Sequence, residues 1–152
     1  VRVAWLLLAS CFVACASVRG AEAQRLLEAG QADDALALWT KRLAEAPTDD
    51  EALRGQRQVL GVLAEQACMR ANTGAVAPLV ELNTLLARGA PAPRQLETAR
   101  AKVAAKVAAH VRGPLGLGQP LTARHVLAGL PMDQAGLGDL KRTLDGEVRS
   151  VK

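Results

Sequence analysis

From about residue 20 onward, apolar side chains recur every three or four residues, the spacing of one buried helix face. Ala52, Val59, Leu60, Leu63 and Ala67 make one such stripe, and Leu96, Val103, Ala104, Val107 and Val111 make a second. A third runs through Leu137, Leu140, Leu144, Val148 and Val151. Glycine and proline interrupt the pattern at places where helices end and restart. The spacing predicts helices over 19–29 and 32–46, then 49–72 and 75–88, then 92–112 and 120–130, with a last helix over 133–150. Pro78 falls near the start of the fourth helix, where proline is tolerated. The Gly/Pro-rich stretch from Arg112 to Pro120 reads as a long loop, with a hinge as the alternative.

The interruptions keep one interval. Gly30, Gly74 and Gly118 are each 44 residues apart, and Pro47 and Pro91 are separated by the same distance. Gly30-Gln31 followed by Ala35 is echoed by Gly118-Gln119 followed by Ala123. At that offset Ala52 superposes on Leu96, Val59 on Val103, Leu63 on Val107 and Ala67 on Val111. One apolar face is being repeated, which is the mark of stacked helical hairpins. Asp139, Lys141, Arg142, Asp145, Glu147 and Arg149 keep the rest of the last helix polar, as a terminal capping helix requires.

The composition fits helices. Half of the 152 residues are hydrophobic, so a packed core can form, while aromatics are only 2%, with no tyrosine. Such an Ala/Leu-rich chain argues against a β-sandwich or barrel, and it lacks the stacking residues of a single-strand nucleic-acid platform. Gly30, Ala35, Trp39 and Pro47 together resemble a tetratricopeptide repeat: a Gly-x4-Ala step, a large residue four later, and a proline that stops the second helix. In mechanical terms Gly30 permits the turn, Ala35 is small where two helices cross, and Trp39 fills the groove one turn on. Asp49 or Asp50 starts the next helix. The later repeats depart from that lettering, because Leu79 stands for the small residue and Asn83 for the large one. The resemblance implies an all-α fold: a short α-solenoid of about three helical hairpins plus a C-terminal capping helix. The residues expected to define its packing are Gly30, Ala35, Trp39, Pro47, Gly74, Pro91, Gly118 and Ala123.

The N-terminal segment has a different character. Val3 to Val18 carries no charge and follows Arg2. It is shorter than the roughly 20 residues that span a bilayer and suits a secretory signal. The chain opens on Val rather than Met, so either a non-standard start codon was translated literally or part of the charged region is missing. Ala14-Cys15-Ala16 offers a small-x-small cut, whereas Phe12-Val13-Ala14-Cys15 and Leu8-Ala9-Ser10-Cys11 both resemble a bacterial lipobox. That resemblance implies lipidation at Cys15, or alternatively at Cys11. Simple cleavage without lipid and an uncleaved anchor remain open. The resulting division is a signal peptide over 1–16 and one tetratricopeptide-like α-solenoid domain over 17–152. Cys68 would be the only mature thiol, so no internal disulfide is expected, and its place on an apolar face predicts a buried, inert group.

No catalytic constellation is visible. His110 and His125 stand far apart in sequence without an acidic or cysteine cluster, and Gly113, Gly116 and Gly118 do not form a nucleotide-binding pattern. The expectation is no enzyme, no metal, no cofactor and no small-molecule substrate. Charge is uneven: residues 21–66 hold nine acids and five bases, and residues 67–152 hold six acids and twelve bases. Arg94, Arg100, Lys102, Lys106 and Arg112 oppose only Glu97, and Lys102 and Lys106 share a helix face. The expected function is a cell-envelope protein–protein interaction module, exported to the periplasm and anchored there as a lipoprotein. The alternative is a peripheral membrane protein that binds anionic lipid through Arg94, Lys102 and Lys106 of the third hairpin. Export disfavours nucleic acid as a partner.

Overall fold

A computed structural model describes residues 20–151. These residues are all-α, with seven helices and no strand among them. Helix α1 covers 20–28. It is followed by α2 (Ala32–Glu45), α3 (Asp50–Ala71), α4 (Val76–Ala87), α5 (Leu96–Gly116), α6 (Pro120–Ala128) and α7 (Gly138–Ser150). The described residues divide within α3 into two compact units, one ending at Val62 and the other beginning at Leu63.

The 44-residue interval governs the architecture as well as the letters. Helices α2, α4 and α6 begin at Ala32, Val76 and Pro120, each 44 residues after the one before. Gly30, Gly74 and Gly118 end α1, α3 and α5 with φ of 79°, 84° and 69°. Gly118 shows why glycine is needed. Its N–H donates to the Leu115 carbonyl (3.0 Å) while the Gln119 N–H reaches back to that of Pro114 (2.9 Å). This paired closure satisfies two carbonyls at the helix end and requires a left-handed residue, which favours glycine.

In the first unit, Ala23, Ala32, Ala35, Leu36, Trp39, Ala52, Val59 and Leu60 form the core. Gly55 on α3 makes room for the indole, because a Cβ there would overlap the Trp39 ring. In the second unit α4 packs on α5, α5 on α6, and α7 on both α5 and α6. Leu79, Leu82, Val103, Val111, Leu127, Met132 and Leu144 are fully enclosed there. Leu79 and Asn83, the two departures from the tetratricopeptide lettering, each have a structural role. Leu79 is fully buried. Asn83 donates to the Gln134 carbonyl (3.1 Å) and accepts from Arg100 (3.3 Å), a polar bridge where Trp39 stands one interval earlier.

Three expected boundaries need correction. The helix read over 92–112 is Leu96–Gly116. Pro91 and Pro93 disfavour helical backbone at the residues before them, so α5 starts late. Pro114 lies within its last turn, and the helix continues because the Leu117 N–H still bonds the Gly113 carbonyl (3.3 Å). The stretch 112–120 is therefore helix and a tight turn, not a long loop. The helix read over 133–150 begins only at Gly138. Residues 132–136 form a separate turn, closed where Gly136 takes φ 72° and the Leu137 N–H bonds the Met132 carbonyl (2.9 Å). Val151, read as part of the apolar side of that last helix, is 39% exposed.

Candidate functional site

Helix α5 carries Arg100, Lys102, Lys106 and Arg112, and its neighbours, with Arg94 just before it, divide these bases into two groups. Arg100 pairs with Glu97 (3.0 Å) and also donates to Asn83. Arg112 makes a two-pronged pair with Glu147, at 2.9 and 2.7 Å. The hydrogen bonds of this pair, reinforced by opposite charge, hold the Glu147 carboxyl below its usual range and raise Arg112 above its own. These two arginines serve the fold. Arg94, Lys102 and Lys106, the expected contact face, are exposed and make no ion pair among the described residues. Arg94 lies in the turn before α5, so the three do not share one helical stripe.

Lys106 is constrained in another way. Its stem crosses Gly74, where a Cβ would come within 2.6 Å of Lys106 Cδ, and its Nζ donates to the Thr73 carbonyl (3.3 Å). Gly74 thus does two things: it turns the chain out of α3 and lets α5 approach closely. Beside this crossing lies an open groove of about 490 Å³ lined by Gly74, Val76, Lys106, Val107, Ala109, His110 and Leu130. Its walls are mostly apolar, and Lys106 and His110, four residues apart on α5, supply the polar groups. A groove of this kind suits an apolar side chain accompanied by a carboxylate.

The remaining candidate residues are structural. Ala35 and Ala123 are fully buried, and Trp39 is 5% exposed. Pro47 and Pro91 stand between helices, before α3 and α5. Cys68 is buried in the second unit; its enclosure, and to a lesser degree the charge of Glu65, pushes the thiol pKa up and leaves it unreactive. Cys11 and Cys15 lie outside the described residues. Among the described residues no three His, Cys, Asp or Glu side chains gather as metal ligands, and no helix is long and apolar enough to cross a membrane.

Arg42 was not visible as a special residue in the sequence. It is buried on α2 and lies 5.5 Å from the Trp39 ring centroid. Its Nε donates to Asp49 Oδ2 and its Nη2 to Glu51 Oε2, both at 2.7 Å. Burial works against the charge, but the two carboxylates outweigh it and raise the guanidinium pKa. Asp49 in turn caps α3: its Oδ1 accepts the N–H groups of Glu51 (3.0 Å) and Ala52 (3.1 Å). The Ala52 N–H is the largest influence on the Asp49 carboxyl and, with Arg42, lowers its pKa. The folded state therefore prefers the ionised form, and Asp49 stabilises the fold above the ordinary aspartate range. That contribution disappears as pH falls through the depressed value. The melting temperature is expected to drop below about pH 4, and Asp49→Asn should flatten this part of the pH profile. An unchanged acid limb in the variant would remove Asp49 from the account.

No family model, curated protein or solved structure matches this chain.

Proposed function

We propose that the chain is a helical-hairpin interaction module of the bacterial cell envelope, of tetratricopeptide type, which binds a short segment of another envelope protein. The observation that carries this reading is the groove beside α5, with apolar walls and with Lys106 and His110 among its lining residues. A partner segment that places an apolar side chain in the groove and a carboxylate near Lys106 satisfies both surfaces. The tetratricopeptide type rests on Gly30, Ala35, Trp39 and Pro47. Export rests on the uncharged run from Val3 to Val18, and anchoring on lipidation at Cys15, with Cys11 as the alternative. The module carries out no reaction of its own and takes no cofactor.

The test is crosslinking in cells with a C-terminally tagged chain, followed by pull-down and intact-mass measurement of the bait. One dominant envelope protein is expected, together with a diacylglyceryl mass on the bait. Ala109→Glu, at an exposed wall of the groove, should abolish capture while leaving the helical circular dichroism unchanged. Equal recovery with Ala109→Glu would remove the groove from the reading. An unlipidated bait recovered alone would overturn the anchored module as a whole.

A further inference from the structure

The turn joining α5 to α6 presents an unusual surface. Leu117 is 76% exposed and Leu121 is 79% exposed, the two most exposed of the large apolar side chains among the described residues. Between Arg112 and Arg124 the chain carries no charge at all. Gly113, Gly116 and Gly118 face open space, since a Cβ at any of them would meet nothing within 4 Å. The turn is nevertheless well closed: the Gly118 and Gln119 N–H groups bond back to the Leu115 and Pro114 carbonyls. Pro114 and Pro120 have no N–H to satisfy. Two leucines therefore project from a turn whose Leu117, Gly118 and Gln119 N–H groups are all bonded within the protein.

Arginines flank one side of this tip. Arg112, five residues before Leu117, is paired with Glu147, so the exposed bases near Leu121 are Arg124 on α6 and Arg149 on α7. Leu121 shares a surface depression with Arg124 and Arg149, where Asp145 is the single acid. Long arginine side chains can lie along an apolar surface and keep their charge at a headgroup layer. An apolar tip flanked by arginines is complementary to a membrane surface with negative headgroups. From this arrangement the geometry points to a membrane-contact site: Leu117 and Leu121 enter the interface of an anionic bilayer while Arg124 and Arg149 hold its headgroups. This site is separate from the groove beside α5, and the two assignments stand or fall independently.

The test uses the full chain with vesicles of phosphatidylcholine alone or containing phosphatidylglycerol. Binding to the anionic vesicles is expected to exceed binding to the neutral ones and to fall with added salt. Leu117→Ser combined with Leu121→Ser should weaken it about tenfold, because interfacial binding follows the apolar area inserted. Both positions are exposed, so the fold is retained; Leu53→Ser, 44% exposed, should change nothing. The N-terminal segment could bind vesicles on its own, so depth is read directly at the tip. In Leu117→Trp, emission should shift to the blue with anionic vesicles and be quenched by brominated acyl chains beyond the parent protein. Absence of that extra quenching overturns the proposal. It is overturned equally if the Leu117→Trp emission is blue-shifted without vesicles and the serine variant loses a dimer, since the leucines would then meet a second copy.

Discussion

Trp39→Ala is expected to destabilise the first unit by roughly 3–5 kcal/mol, the cost of deleting a large enclosed ring. The indole is 5% exposed and fits against Gly55, with the Arg42 guanidinium over its face. Its removal leaves a void and strips the buried arginine of an aromatic neighbour. The same fit is probed from the other side by Gly55→Ala. Inside an ordinary helix that change stabilises by about 1 kcal/mol. Here the added methyl would overlap the indole, so the overpacking cost of about 1–3 kcal/mol decides the sign and the variant is destabilised. Denaturant unfolding followed by far-ultraviolet circular dichroism measures both. A Trp39→Ala loss below about 1 kcal/mol would mean that the ring is a surface contact and not a core residue.

Leu79→Ala separates the structure from the lettering of the repeat. Ala35, Leu79 and Ala123 occupy one position of the 44-residue interval. By resemblance alone, alanine at position 79 would bring the second hairpin closer to the pattern and cost nothing. Leu79 is fully buried, however, and its side chain fills the interior of the second unit. The substitution is therefore expected to cost about 2–5 kcal/mol, with a correspondingly lower melting temperature. A neutral result would show that the α4 face closes without this side chain.

The hairpin plan was legible because its signals are local. The 3.6-residue apolar stripe, the left-handed glycines and the interrupting prolines act within a few residues of themselves. The helices read over 32–46, 49–72 and 75–88 are found at Ala32–Glu45, Asp50–Ala71 and Val76–Ala87. The errors came where local signals compete. Pro114 and three nearby glycines signal a loop, yet α5 carries Pro114 in its last turn and closes beyond it through the Leu117 N–H and the Gly113 carbonyl. At Gly136 the positive φ ends a turn that periodicity alone had joined to α7. Contacts distant in sequence were less legible. Gly55 reads as a helix weakness until Trp39 is seen against it, and Arg42 reads as solvated until Asp49 and Glu51 enclose it. The groove was hidden for the same reason, since Gly74, His110 and Leu130 meet only through tertiary packing. The four-residue spacing of Lys106 and His110 was its one local trace.

A partner segment seated beside α5 would bring its side chains within reach of Ala109 and His110. The most direct measurement is a site-by-site scan in cells, with a photo-crosslinking residue placed singly at exposed positions. One crosslinked species is expected from Ala109 and His110, and none from Leu53 on α3 or Asp34 on α2. Equal yields from all four positions, or capture only from Leu53 or Asp34, would contradict it.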